Sequence, residues 1–116
     1  MDRLSFEDAE FRSAVAHDGR GTIRFARATT GLPGSALNFI DLCVVPPGAS
    51  IGDHTHGPDD EEIYVVVEGR GRMTVEGESF DVGPGDVVVN APGGRHGLRN
   101  EADAPLRLVV LDVAAG

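Results

Sequence analysis

Short apolar runs alternate with glycine- and proline-rich turns along most of the chain. The sequence has 16 Gly and 7 Pro, and the runs between them are rich in valine. Runs of this kind, bounded by turn signals, are typical of β-strands. The pattern predicts eight strands, at residues 22–28, 36–45, 62–67, 70–75, 78–82, 86–89, 96–100 and 106–113. Short strands at such regular spacing indicate an all-β sandwich or barrel.

The N-terminal residues have a different pattern. Ser5, with Asp8 three positions later, resembles a helix capping box ahead of Phe11 and Val15. The sequence therefore predicts a short helix over residues 5–16.

The predicted strands begin after residue 21, and we therefore divide the chain into two parts. Residues 1–21 form an N-terminal extension, and residues 22–116 form the β-barrel domain. A chain this short buries a limited share of its surface, and an open barrel leaves strand edges that a partner can cover. We therefore expect a homodimer, with Phe6, Phe11 and Val15 of the extension as the candidate contact.

Composition supports one folded β domain. The 116 residues are enough for a single core, and 41% of them are apolar. There is no Trp and only one Tyr, so the core must consist mainly of valine, leucine, isoleucine and alanine, a bias that favours sheet over helix.

Charge and cysteine content exclude several classes of partner. The net charge of −9 disfavours nucleic acid and anionic membrane surfaces, and no apolar run is long enough to span a bilayer. The acidic N-terminus lacks the pattern of a secretory signal. Cys43 is the single cysteine, which fits a reducing compartment. We expect a cytoplasmic protein that acts on a small molecule.

Three of the four histidines fall in two short segments. His54 and His56 lie two residues apart, so they project from the same face of a strand and can reach one cation. An acidic pair follows after a turn, and either Glu61 or Glu62 can be a third ligand. His96 comes later, and a closed barrel would bring it to the same inner wall.

These residues resemble the two motifs of the cupins, a family of small β-barrels. The first motif is matched by Gly48, His54, His56, Glu62 and Gly69, with one extra residue in the turn before the glutamate. We favour Glu62 because it keeps the six-residue distance to Gly69, and Glu61 is the fallback.

The second cupin motif is matched by Gly85, Gly93, Gly94, His96 and Asn100, with Pro92 displaced by one position. The resemblance implies a jelly-roll barrel, also called a double-stranded β-helix. It also implies one divalent metal ion held by His54, His56, Glu62 and His96. Three neutral imidazoles and one carboxylate give such a site a net charge near +1, and they suit Fe, Mn, Ni, Co, Cu or Zn about equally.

We expect several other polar residues to have no role at the predicted metal site. We expect His17 to lie in an exposed turn with no ligand role, and Arg24, Arg27 and Asn38 to lie on outward faces of the sheet. Cys43 is expected in the core. Asn100 is expected to be a structural hydrogen-bonding residue.

Two of the residues near the predicted ligands are candidates for catalysis. Tyr64 shares the inward face of Glu62, and its hydroxyl can orient a substrate. Tyr64 and Glu61 are the candidate proton-transferring residues.

The resemblance implies a metal-dependent cupin enzyme that acts on a small organic substrate. The positive site favours an anionic substrate such as a carboxylate, enolate or phenolate. Two chemistries remain open, a dioxygenase and a Lewis-acid isomerase, cyclase or bond-forming enzyme. Residues 60–71 are similar to short bacterial cupins of natural-product biosynthesis. The alternative is a non-catalytic cupin module that binds a metal or ligand and works with a partner.

Overall fold

The computed structural model describes residues 3–31 and 33–115, and these residues form ten β-strands without a helix. The strands are β1 (Arg12–Ala14), β2 (Ile23–Thr29), β3 (Leu37–Val45), β4 (Ser50–Thr55), β5 (Asp60–Glu68), β6 (Gly71–Val75), β7 (Glu78–Val82), β8 (Val87–Asn90), β9 (Arg95–Arg99) and β10 (Leu106–Ala114). The all-β prediction is confirmed. None of the described residues forms an apolar helix of membrane-spanning length.

The strands form two antiparallel sheets that enclose one core. One sheet has six strands in the order β1-β2-β3-β10-β5-β8, and the other has four in the order β4-β9-β6-β7. Alternate residues face inward, so Met73 and Leu98, which are paired across β6 and β9, are both buried. Cys43 and Leu108 are paired in the same way across β3 and β10. Cys43 is a core residue, as expected.

The predicted N-terminal helix is wrong. The capping contacts do form, because the Asp8 amide donates to Ser5 Oγ at 3.2 Å and the Ala9 amide donates to the Ser5 carbonyl at 3.0 Å. The chain then leaves this single turn and pairs as β1 with residues 23–25 of β2. A turn of helix is costly to nucleate, and pairing with a formed sheet satisfies the same backbone groups.

The N-terminal residues pack on the outer face of their own six-stranded sheet. Phe6 and Phe11 stack with ring centroids 6.3 Å apart. The Arg24 guanidinium lies over Phe11, and the Arg107 guanidinium lies over Phe6, each at 5.6 Å. Val44 is paired with both arginines and is buried, although it is absent from the inner core. The phenyl rings therefore cover the outer face around Val44.

Candidate metal centre

Strands from both sheets bring three histidines and one glutamate together at the inner wall of the barrel. His54 of β4 and His96 of β9 are direct partners in the four-stranded sheet. Glu62 lies on β5 of the six-stranded sheet, and His56 follows β4 directly. Ligand atoms of these four residues lie within 4.8 Å of one another. The structure therefore brings together all four residues predicted as ligands.

Two ring nitrogens converge on one carboxylate oxygen, and the third lies beside one of them. Glu62 Oε1 lies 2.9 Å from His56 Nε2 and 3.2 Å from His96 Nε2. His54 Nε2 lies 3.1 Å from His56 Nε2. Three imidazole nitrogens and a carboxylate oxygen at these distances are a donor set that fits a divalent transition-metal ion. The cluster could hold such an ion.

Hydrogen bonding fixes which nitrogen of His54 faces the cluster. His54 Nδ1 lies 2.8 Å from the Gly52 carbonyl, which can only accept a hydrogen bond. The Nδ1 atom therefore carries the proton, and Nε2 is left with its lone pair directed at the cluster. This is the tautomer that a metal ligand requires.

The local electrostatics favour the ligating forms of two of these groups. Burial lowers the pKa of His54 to about 4, against the opposing effect of the hydrogen bond that its Nδ1 donates to the Gly52 carbonyl. Burial raises the pKa of Glu62, but the hydrogen bond and charge of His96 and those of His56 outweigh burial, so its net pKa lies below the usual value. A neutral His54 and an ionised Glu62 are the states in which both can bind a metal.

The alternative glutamate lies elsewhere. Glu61 is not in the cluster, and its register partner is Val113 of β10, whereas the partner of Glu62 is Asp112. Side chains alternate along a strand, so Glu61 lies on the outer face of β5. Its role in proton transfer stays a prediction.

Tyr64 lies on the inner face, two residues after Glu62. Its side chain is buried, and its ring meets His96 edge-on with centroids 5.4 Å apart. Burial and the neighbouring Glu62 carboxylate raise the pKa of Tyr64 well above its usual value. The hydroxyl therefore keeps its proton and can act as a hydrogen-bond donor. Its catalytic role also stays a prediction.

His17 is a neighbour of the cluster that the sequence did not reveal. It lies in a turn and is exposed, as expected, but its ring stacks on that of His54 with centroids 3.4 Å apart and an angle of 8° between the planes. The contact joins residues 37 positions apart in the chain. No local spacing signal could have predicted it.

A cavity of about 230 Å³ adjoins the cluster. Its wall includes His17, Glu62 and Tyr64, together with apolar side chains, namely Ile23, Phe25, Phe39, Ile51 and Val110. One wall of the cluster is thus open to a space that suits a small, largely apolar molecule.

An arginine and an aspartate also line this cavity. Arg27 donates two hydrogen bonds to Asp41, from Nε to Oδ1 at 2.8 Å and from Nη2 to Oδ2 at 3.0 Å. The guanidinium lies over the Phe39 ring at 4.0 Å. The expectation that Arg27 faces outward is wrong, because the inner face of β2 carries its odd-numbered residues.

The similarity to the cupins extends beyond the two motifs. The sequence model of the family described as "Cupin domain" matches residues 41–113, which is more than half of the chain. The chain belongs to the cupin family.

Two relatives with different coverage are similar to this cupin. An uncharacterised protein of Methanocaldococcus jannaschii is 38% identical over 66 residues, which cover 57% of this chain and 52% of that protein. The cupin therefore spans about half the length of this relative. Polyketide synthase CurC of Streptomyces cyaneus is 34% identical over 109 residues, which cover 94% of this chain and 70% of that protein.

Solved structures show the same fold. The crystal structure of a predicted oxalate decarboxylase from Thermotoga maritima superposes on this cupin with a TM-score of 0.90 and 20% identity. The superposition covers 97% of this chain and 99% of that one. The cupin barrel implied by the two motifs is therefore confirmed.

Proposed function

We propose that this cupin is a metal-dependent enzyme that acts on a small organic anion in natural-product biosynthesis. The observation that carries the proposal is the arrangement of the cavity. It places an apolar space with a polar arginine–aspartate pair directly against a cluster of metal-ligating side chains. The similarity to CurC, over 94% of the chain, supports the polyketide class of substrate.

The four clustered residues would hold the ion. When bound, a divalent ion would supply Lewis acidity or a redox centre, which correspond to an isomerase or cyclase and to a dioxygenase. A divalent ion with one carboxylate and three neutral imidazoles leaves a net charge near +1. The inner wall would therefore favour the oxygen of an enolate, phenolate or carboxylate.

The rest of the cavity would bind and orient the substrate body. Phe25 and Phe39 offer aromatic surface for a planar molecule. Asp41 uses one edge of the Arg27 guanidinium, so the remaining N–H groups can donate to a carbonyl or hydroxyl oxygen of the substrate. Tyr64, as a buried hydroxyl that keeps its proton, would donate a hydrogen bond near Glu62.

The test combines metal analysis with turnover. The protein is purified, its metal content is measured, and the loaded form is incubated with polyphenolic polyketide substrates while product and oxygen uptake are followed. We expect about one ion per chain and turnover that Glu62→Gln abolishes. Oxygen uptake would identify the dioxygenase branch, and product formation without it would identify the isomerase or cyclase branch.

The same experiment separates the enzyme from a binding module. A module would bind the metal and the polyphenols without converting them. In that outcome, neither the unsubstituted protein nor Tyr64→Phe would show turnover, whereas in an enzyme Tyr64→Phe should reduce turnover without reducing metal content. Stoichiometric metal with no conversion of any substrate would overturn the proposed activity.

A further inference from the structure

The turn that carries His17 is anchored to the strand that carries His54. The Ala16 carbonyl accepts hydrogen bonds from the Gly19 amide at 2.9 Å and from the Gly52 amide at 3.0 Å. The Arg20 carbonyl accepts from the Ser50 amide at 2.9 Å, and Ser50 Oγ accepts from the Arg20 amide at 2.8 Å. The first of these four bonds closes the turn itself, and the other three hold it at both ends against β4.

The backbone of the turn has a conformation that side chains disfavour. His17 has a φ of 50° and Asp18 a φ of 56°, both in the left-handed region. Such conformations cost about 1 kcal/mol each and persist where the surrounding structure imposes them, often at functional sites. A Cβ at Gly52 would clash with the His17 carbonyl, and a Cβ at Gly19 would clash with the Ser50 carbonyl. The close approach of the two segments therefore needs both glycines.

The result of this anchoring is the position of the His17 ring. The ring covers one face of the His54 imidazole at 3.4 Å, while the Gly52 carbonyl holds the edge of that imidazole. His54 is thus fixed from two sides, and its Nε2 stays directed at the cluster.

His17 also reaches the cavity, which the three clustered histidines do not. Of the four histidines, all of which lie in the described part of the chain, His17 alone lines the cavity wall. Glu62 and Tyr64 line the same wall. A molecule that fills the cavity and contacts Glu62 would therefore lie against a wall that also includes His17. A neutral imidazole offers both a hydrogen-bond donor and an acceptor.

We propose that His17 is a substrate-contacting residue that hydrogen-bonds an oxygen of the bound organic anion and so helps to determine which substrates are accepted. This inference rests on the proposed function, since it assumes an anion bound at the metal-ligating cluster. His17 lies outside residues 41–113, the part of the chain that matches the family, so it is a feature of this chain's N-terminal segment.

The test uses nitrocatechol, a coloured bidentate phenolate, as the probe on the zinc-loaded protein. His17→Phe keeps a flat ring against His54 and removes the hydrogen-bonding nitrogens. Val15→Ala, in the same segment and exposed, is the matched control. Zinc affinity is measured by competition with a chelator, and probe affinity is measured by absorbance.

We expect His17→Phe to retain zinc affinity within about threefold and to bind nitrocatechol about tenfold more weakly, which is the loss of one hydrogen bond. Val15→Ala should match the unsubstituted protein in both affinities. In the unsubstituted protein, the His17 ring nitrogen resonances in proton–nitrogen NMR spectra should shift when the probe is added. This measurement does not depend on how well a variant folds.

The results that would contradict this inference can be told apart from those that would also contradict the proposed function. Unchanged probe binding by His17→Phe, or unmoved His17 resonances, would overturn this inference and leave the proposed function standing. A loss of zinc affinity in His17→Phe would overturn it in favour of a ligand role. An unsubstituted protein that takes up no zinc, or that binds zinc but not nitrocatechol, would overturn the inference. The absence of zinc uptake would overturn the proposed function as well.

Discussion

Asp60 Oδ2 lies 3.4 Å from Nδ1 of His56, while Nε2 of the same ring lies 2.9 Å from Glu62 Oε1. The Asp60 carboxylate favours the tautomer with its proton on Nδ1, which leaves the Nε2 lone pair for a metal. We therefore predict that Asp60→Ala lowers metal affinity about tenfold, as measured by competition with a chelator. Asp59→Ala, at the exposed neighbouring position, should leave the affinity unchanged. Equal affinities for the two variants would contradict this positioning role.

The four clustered residues should each be needed for metal binding. Removing one donor leaves the others around an under-coordinated ion, so we predict that each single alanine variant lowers affinity by more than about tenfold. The variants are His54→Ala, His56→Ala, Glu62→Ala and His96→Ala. Metal content after dialysis provides the measurement. Glu61→Ala is the control, and if it alone removes the metal, the fallback glutamate is the ligand.

Asn100 should contribute strongly to stability. Its side chain is 1% exposed, donates to the carbonyls of Val45 and Ala104 at 2.9 and 2.8 Å, and accepts from the Ala102 amide at 3.0 Å. We predict that Asn100→Ala lowers the free energy of unfolding by about 2 to 4 kcal/mol, because partners of a buried side chain are left unpaired. Ser79→Ala, which removes one hydrogen bond between exposed side chains, should cost less than about 1 kcal/mol. Urea denaturation gives both values, and similar losses would refute the structural role.

A buried carboxyl should make the metal-free protein sensitive to pH. Burial and a hydrogen bond with Asp60 raise the pKa of Asp112 to about 6. A raised pKa means that the folded state favours the protonated carboxyl, so this contribution to stability is lost as the pH rises through about 6. Asp112→Asn cannot ionise and keeps an acceptor oxygen for Asn38.

We therefore predict that Asp112→Asn is more stable than the unsubstituted protein by about 1 to 2 kcal/mol at neutral pH, and that the difference disappears near pH 4. Urea denaturation of the metal-free proteins at both pH values provides the test. A difference that stays constant with pH would show that ionisation of Asp112 is not its cause.

Self-association has two candidate surfaces. The sequence predicts the N-terminal segment, of which Val15 is 59% exposed. The structure adds an outer valine patch on the six-stranded sheet, where Val67 is 47% exposed and Val87 and Val89 are each 59% exposed. β8 forms the end of that sheet. Exposed apolar side chains that are clustered on a sheet face mark interaction surfaces.

We predict a dimer in light scattering, and we predict that Val87→Glu with Val89→Glu shifts it to the 12.2 kDa monomer. Val15→Glu is the matched variant for the N-terminal surface. Dissociation by Val15→Glu alone would instead support the surface expected from the sequence. A protein that is monomeric without any substitution would contradict both.

Strands with strong apolar alternation could be predicted from the sequence. Strands that depend on pairing with a neighbouring strand could not. The valine-rich run of β5 predicts a strand by itself. β4 carries a single large apolar residue, Ile51, and it is held as a strand by pairing with β9. β1 has three residues and depends on β2. The sequence does not predict these two strands, because tertiary pairing, and not local propensity, determines them.

The residues of the candidate site also divide into those that the sequence predicts and those that depend on tertiary pairing. The four clustered residues could be predicted because His54, His56, Glu62 and His96 lie at the ligand positions of the two cupin motifs. The sequence does not show which face of β2 carries Arg27, because the inner face of β2 depends on its register with β3. His17 depends on the turn next to β4, and that approach is invisible until both segments are placed.

The close backbone approach at Gly19 and Gly52 has a consequence for the history of this site. Each glycine leaves room for a carbonyl of the other segment, and a methyl group at either position would push the turn away from β4. In a homologous chain that lacks one of these glycines, a histidine at position 17 would not reach the His54 ring. Among homologous chains, the three residues should therefore be inherited together or lost together, and the combination can be used to sort the family into members with and without a fourth imidazole at the barrel wall.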